Sequence, residues 1–273
     1  TAEDILPGYQ LDDAPPVTLA DAEDCFVLEE ASSGYGLPQI LTITTIDLND
    51  VSLMNATCTT SFAGAFFISS DSLLLTDFFE GGTLIHKFAL SETGASYRGS
   101  GEVKGYVRGG EYSFHLYEQD DNIFALSSFW ENDRFTHQFT VFQEDQDEAY
   151  KLRPVAQLPN DSKPEPIGKP GEDIFGVRFF HNTAFVVTFE RIDPLYAIDI
   201  SNPLAPAIVG ELELPGVSEY LHPISSDLLL GIGHNGQWPR ELQVNLFDIS
   251  DKTQPKLITQ ETLADYQGAW TSL

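Results

Sequence analysis

The chain is short of positive charge. In 273 residues it sets 14 Lys and Arg against 42 Asp and Glu, a formal −28 at pH 7. A field of that sign repels phosphates, which excludes DNA, RNA and anionic lipid surfaces as partners. No apolar run approaches the roughly 18 to 20 residues of a membrane-spanning helix, and no charged-then-apolar segment opens the chain. Cysteine is nearly absent too: Cys25 and Cys58 stand alone, with no paired CxxC or Cys/His cluster to hold zinc. In an exported protein they would form a disulfide tying the first unit to the second; the alternative is two buried thiols. There is no GxSxG, HExxH, GxxxxGK[ST] or strand-linked GxGxxG, so the common hydrolase, zinc-protease and nucleotide signatures are missing. Convincing amphipathic helices are missing as well, which leaves strands to build the core.

What the chain does contain is a phrase said twice. Residues 195–210 (LYAIDISNPLAPAIVG) and 244–258 (VNLFDISDKTQPKLI) each read as an apolar strand ending in Asp-Ile-Ser, a Pro-containing turn and a second apolar strand. Asp199 and Asp248 are 49 residues apart, the period of a repeated supersecondary unit rather than of a catalytic motif. Fainter copies at TIDLN, KFALS and VFQED align Asp47, Ala89 and Gln143 with them. Between copies run hairpin patterns such as AFFISSDSLLLTD, FHLYEQDDNIFALS and VRFFHNTAFVVT, apolar strands around polar turns. This grammar predicts an all-β protein, a β-propeller of four-stranded antiparallel blades with about five units visible. The Asp of each phrase is expected to accept backbone hydrogen bonds in the turn after the blade's last strand.

The stretch from Gly176 to Ile258, including VRFFHNTAFVVTFERIDPLYAIDISNPLAPAIVG, resembles a family of secreted bacterial and archaeal β-propeller proteins distantly related to WD repeats. LYAIDISNPLAPAIVGELELPG is also similar to the LVIVD repeat. The resemblance implies an extracytoplasmic propeller, transfers no catalytic residues, and belongs to proteins generally longer than this chain.

Residues 1–20 read as an acidic, extended lead-in and 21–273 as propeller repeats, interrupted by a long Pro/Gly loop at 159–173 that is ordered only where it packs. If the strand after the fifth phrase, 255–264 (PKLITQETLA), returns to the first unit, the ring closes with five blades and no exposed edges. Otherwise the chain is part of a larger propeller.

The loops sort into two faces. One is acidic, with Ser70-Asp71, 118–121 (EQDD), 144–148, Ser226-Asp227 and Asp251. The other carries Arg108, Trp130, Arg134, Arg191, Trp238 and Arg240, four of the seven arginines and two of the three tryptophans. Arg and Trp on a rigid ring hold carboxylates, sugars or peptides by bidentate hydrogen bonds and stacking, so these six form the candidate ligand site. The structural alternative is that Arg134 pairs with Asp133 and Arg240 with Glu241 at the surface. The acidic turns offer oxygens that Ca²⁺ accepts, without the spacing of an EF-hand; the reading preferred is ordinary solvated turns, with no cofactor required. His115, His181 and His222 recur at similar places in the hairpins, which admits a ring-lining metal against the plainer reading of scattered strand histidines. The expected function is a noncatalytic scaffold for a protein, peptide or glycan; the alternative is a propeller hydrolase or lyase, Ca-dependent or not, with a polar axial site.

Overall fold

The computed structural model describes residues 6–10, 12–27, 39–49, 52–61, 64–79, 81–107, 114–189, 193–214, 216–238 and 240–263. Among them are twenty-one strands and, as regular helix, a single 3-10 turn at Ala22–Asp24. The chain divides into two compact units, residues 1–102 with 144–153, and residues 103–143 with 154–273.

In the first unit a small hairpin, β1 (Gly8–Tyr9) with β2 (Val17–Thr18), precedes β3 (Cys25–Phe26). The central β5 (Ser52–Thr60) pairs antiparallel with β4 (Ile40–Asp47) and parallel with β3, which sets Cys25 opposite Cys58 and closes a disulfide there. Then β6 (Phe66–Ile68), β7 (Ser72–Phe79), β8 (Gly82–Ser91) and β9 (Gly94–Lys104) run as a four-stranded meander, with β9 continuing past the unit's boundary. Leu75, Phe88 and Tyr97 pack together in its core, with Phe26 stacked on Tyr97 at 4.5 Å.

The second unit contains β10 (Leu116–Gln119), β11 (Asn122–Glu131) and most of β12 (Arg134–Glu144), antiparallel in that order. Two further sheets follow, each a four-stranded antiparallel meander: β14 (Asp173–Phe180), β15 (Thr183–Phe189), β16 (Asp193–Asp199) and β17 (Ala207–Leu214), then β18 (Val217–Ser225), β19 (Leu228–His234), β20 (Leu242–Asp248) and β21 (Lys256–Leu263). Val186, Tyr196 and Ile198 fill one core with Phe124, Phe139 and Phe179, while Phe185, Leu195, Leu229 and Phe247 fill another. The long loop contributes Ile167, 2% exposed, to the first of these, so it does pack.

The repeats predict uniform blades, and the strands depart from that in three ways. First, β13 (Tyr150–Leu158) begins parallel to β9, Tyr150 opposite Gly99 and Lys151 opposite Ser100, and accepts a hydrogen bond from Asp145. Gly99 permits it, because a Cβ there would lie 2.5 Å from the Tyr150 carbonyl carbon. Second, the sheet of β3, β4 and β5 has three strands and a parallel pair. Third, the Asp-Ile-Ser phrase ends the third strand of its sheet, not the last. The strand after the Pro turn folds straight back on it, Asp199 opposite Ala207 and Asp248 opposite Lys256. The segment 255–264, left open as a strand that could return to the first unit, supplies β21, the fourth strand of the sheet that holds the second phrase.

Candidate binding face of the second unit

In an antiparallel meander successive turns alternate between ends, so the turn at 132–133, the end of β15 at Phe189 and the turn that opens at Asn235 stand at corresponding ends of their sheets. Side chains show that these ends adjoin. His137, near the start of β12, hydrogen-bonds Glu172 just before β14, and Asp173 is the partner of Phe189 at the end of β15. The Phe189 ring lies 6.3 Å from His234, edge-on, and a Cβ on Gly236 would touch it at 3.7 Å.

Trp130 and Arg134 flank the first of these turns, where Asn132 and Asp133 both take positive φ, 52° and 60°, as the two-residue hairpin requires. Trp130 packs edge-on against its cross-strand partner Phe135 at 4.9 Å yet stays 62% exposed. Lys104 sits 4.1 Å over the Phe129 ring and pairs with Glu131 at 2.5 Å. Trp238, 90% exposed, and the exposed Arg240 belong to the third turn. Asn235 closes that turn: its Oδ1 accepts from Gln237 and Glu241 backbone N–H groups, and its Nδ2 donates to the Glu241 carboxylate. Arg134 and Arg240 make no ion pair with a described residue, so the surface pairings with Asp133 and Glu241 do not form. Arg108 and Arg191 lie outside the described residues. Trp130 with Arg134, and Trp238 with Arg240, are thus pairs by position on two hairpins of one end, with Arg134 opposite Glu131 and so on the other face of its hairpin from Trp130 and Phe135.

Beneath the first pair is a polar network that the sequence did not single out. His137, 3% exposed, has its Nε2 2.9 Å from the Glu172 carbonyl and its Nδ1 2.9 Å from Ser128 Oγ. A carbonyl only accepts, so in the neutral ring Nε2 carries the proton and Ser128 donates to Nδ1. The buried Glu172 carboxylate accepts from Thr188 Oγ1 at 2.6 Å and from the Lys169 N–H at 2.7 Å. Ser128 and His137 are cross-strand neighbours, a relation visible only once the register is known.

His234 was one of six scattered histidines in the sequence. Its Nδ1 accepts the Gly236 N–H at 3.0 Å, which leaves the proton on Nε2. That Nε2 is buried, has no hydrogen-bond partner, and lies 3.6 Å from Glu219 Oε1. Burial pulls the imidazole below its ordinary pKa; Glu219 opposes the shift and Arg240 reinforces it.

The opposite end of this unit is the acidic one. Asp120 and Asp121 take positive φ in a tight turn, and Asn122 Nδ2 bonds the Asp120 carbonyl at 2.7 Å. Gln119 reaches Asn182 Oδ1 at 3.1 Å, and Asp199 and Asp248 accept the N–H and hydroxyl of Ser201 and Ser250. In the first unit Asp145 likewise accepts the Asp147 and Glu148 N–H groups, while the buried Lys87 and the exposed Arg98 converge on Glu144 at 3.1 and 2.6 Å. These carboxylates are engaged by their own turns and neighbours, and among the described residues no group of three His, Cys, Asp or Glu is arranged to hold a metal. His115 is buried, His181 sits exposed in a positive-φ turn, and His222 is exposed beside Tyr220.

An uncharacterized protein of Methanocaldococcus jannaschii is 44% identical over 93 residues, 34% of this chain and 15% of that protein. One of Archaeoglobus fulgidus is 42% identical over 111 residues, 39% of this chain and 17% of its own length. The chain therefore matches less than a fifth of these relatives. Among solved structures, KlHsv2 with one loop replaced by a Gly-Ser linker aligns over 79% of this chain and 77% of its own, at 11% identity and TM-score 0.36. A mutant of Synechocystis apocarotenoid oxygenase aligns over 82% of this chain and 55% of its own, at 10% identity and TM-score 0.47. The family model described as a beta propeller domain matches residues 1–272, and the chain, all-β by its strands, belongs to that β-propeller family.

Proposed function

We propose that the protein is a noncatalytic, extracytoplasmic binding propeller that holds a protein, peptide or glycan ligand on the end of its second unit carrying Trp130, Arg134, Trp238 and Arg240, with Arg108 and Arg191 joining them by sequence position. One observation carries this reading. The aromatic side chains that the described part of this unit leaves exposed are both tryptophans, Trp130 and Trp238, and both stand at this end. Exposed Trp and Arg side chains carried on the hairpins of antiparallel sheets have the composition of binding hot spots, where rigidity limits the entropy lost on association. The Cys25–Cys58 disulfide supports an oxidising compartment. No cofactor is needed for this role, and calcium enters only as a ligand for the acidic turns of the other end.

The test is a binding screen against immobilised peptides and oligosaccharides with the wild type and the Trp130→Ala/Trp238→Ala variant. The double variant is expected to keep its far-ultraviolet spectrum and melting temperature while losing about 100-fold or more in affinity. Equal binding by both proteins would overturn the assignment. Trp238→Ala alone, at a side chain 90% exposed, keeps the test decisive should the double variant fold poorly.

A further inference from the structure

The chain holds two Asn-x-Ser/Thr sequences, Asn55-Ala56-Thr57 and Asn160-Asp161-Ser162, and the fold treats them in opposite ways. N-linked glycosylation needs both members of the motif within reach of a transferase: the Asn amide as nucleophile, and the hydroxyl two residues on for recognition.

In the first motif neither is within reach. Asn55 and Thr57 lie inside β5, paired along β4. Asn55 Oδ1 accepts the Ala95 N–H at 3.3 Å, and its side chain lies so close over Gly94 that a Cβ there would meet Asn55 Cγ at 2.5 Å. Thr57 is 3% exposed, and its hydroxyl donates to the Asp24 carbonyl at 2.8 Å.

In the second motif both are presented. Asn160 and Ser162 are exposed in the loop after β13, in a turn closed between the Asn160 and Lys163 backbone groups. Asn160 Oδ1 accepts three bonds, from the Ser162 N–H at 2.9 Å, the Ser162 hydroxyl at 2.7 Å and the Lys163 N–H at 3.0 Å. Nδ2 donates one proton to the Gln157 carbonyl at 2.7 Å, and its other N–H has no partner among the described residues. As that second proton leaves, negative charge develops on Oδ1, where three donors are already aimed. Lys163 Nζ ties the turn down, donating to the Ala205 and Pro206 carbonyls at 3.1 and 2.7 Å. Those two residues lie between β16 and β17, at the other end of the sheet from Phe189, so the acceptor stands clear of the Trp130 and Trp238 end.

Resting on the extracytoplasmic reading above, we infer that Asn160 is an N-glycosylation site whose donor is an oligosaccharide carried on a polyprenyl phosphate or diphosphate. The bond from Nδ2 to the sugar C1 forms as the C1–O bond to the phosphate breaks. The phosphate keeps the electron pair, and the Nδ2 proton passes to a base of the transferase. Asn55 stays unmodified in the folded protein.

Two measurements test this. The folded full chain is incubated with a purified oligosaccharyltransferase and a polyprenyl-diphosphate-linked oligosaccharide, beside Asn55→Gln, Asn160→Gln, Ser162→Ala and Ser162→Thr, and the peptides are weighed by mass spectrometry. One glycan, at Asn160, is expected in the wild type, Asn55→Gln and Ser162→Thr, and none in Asn160→Gln or Ser162→Ala. A bare Asn160 in the wild type, or an equal glycan at Asn55, would overturn the assignment. The second measurement takes the same peptide masses, with cell fractionation, for the protein isolated from the cells that make it. A glycan on Asn160 is expected there too. Protein found outside the cytoplasm with a bare Asn160 would overturn the glycosylation inference and leave the extracytoplasmic reading standing; protein found in the cytoplasm would overturn both.

Discussion

Lys252 Nζ lies 3.1 Å from Asp199 Oδ1 and joins the turn after the second Asp-Ile-Ser phrase to the Asp of the first. The contact is possible because position 210 is glycine: a Cβ there would meet the Lys252 carbonyl oxygen at 2.1 Å. Burial raises the Asp199 pKa, but the bonds from Lys252 and Ser201 outweigh it and hold the carboxyl below its ordinary value.

The steric term should dominate the charged one. Gly210→Ala is expected to cost about 2 kcal/mol or more by forcing two sheets apart. Lys252→Met, which removes a half-exposed ion pair, should cost about 0–1 kcal/mol. Urea unfolding of the two variants decides the order, and the reverse ranking would mean the ion pair, not the close approach, holds the sheets together.

His86 makes the first unit acid-sensitive. It is fully buried, its Nδ1 lies 3.1 Å from the Tyr97 hydroxyl, and burial lowers its pKa from 6.5 to about 4. Above pH 6.5 the ring is neutral folded and unfolded, and the shift has no effect. As pH falls from 6.5 toward 4 the unfolded chain takes up a proton that the folded one refuses, so stability drops, by about 2.5 kcal/mol at pH 4.5. Comparing urea midpoints of the wild type and His86→Gln at pH 7 and pH 4.5 should show the acid loss shrinking by that amount in the variant.

The disulfide should matter through the unfolded chain. Cys25 and Cys58 are 33 residues apart, and closing a loop of that length contributes about 3.5 kcal/mol in the chain-entropy account. Cys25→Ala/Cys58→Ala is expected to melt well below the wild type under oxidising conditions, and the wild type with strong reductant present should approach it. Coincident melting curves for variant and wild type would show that the tie is idle.

Ser128 and His137 have the hydrogen-bond polarity of a nucleophile and its base, and an enzyme reading would begin with them. Ser128 is 2% exposed, however, and its own N–H and C=O are bonded to Tyr106. The expectation is a structural pair: no labelling by a fluorophosphonate probe, and about 1–2 kcal/mol lost in Ser128→Ala because His137 Nδ1 loses its donor. Stoichiometric labelling that disappears in the variant would instead make this unit a serine hydrolase.

Period and alternation were legible without coordinates because they are local. The phrase copies at Asp199 and Asp248 marked repeating units, apolar runs around Asp120-Asp121 and Ser226-Asp227 marked hairpins, and turn residues sorted the loops into two chemically different ends. Alternation of turns depends only on counting strands, which is why a sorting of loops into ends can be attempted from the sequence.

Three features needed the tertiary structure. Which strand completes a sheet was decided by pairing energy across the Pro turn, which brings β17 and β21 back onto β16 and β20. The parallel approach of β13 to β9 was decided at Gly99, where the missing side chain admits another backbone, and nothing in the repeat pattern distinguishes that glycine from others. The meeting of Glu219 with His234 was decided by the register of β18 on β19, which sets Val217 opposite His234 and brings Glu219 Oε1 to 3.6 Å from the imidazole. By itself the sequence determined an acidic all-β chain of repeated hairpins, because strand periodicity and turn chemistry act over a few residues. Only the tertiary structure decided which carboxylate faces which imidazole, because register and close backbone approach depend on residues far apart in the chain.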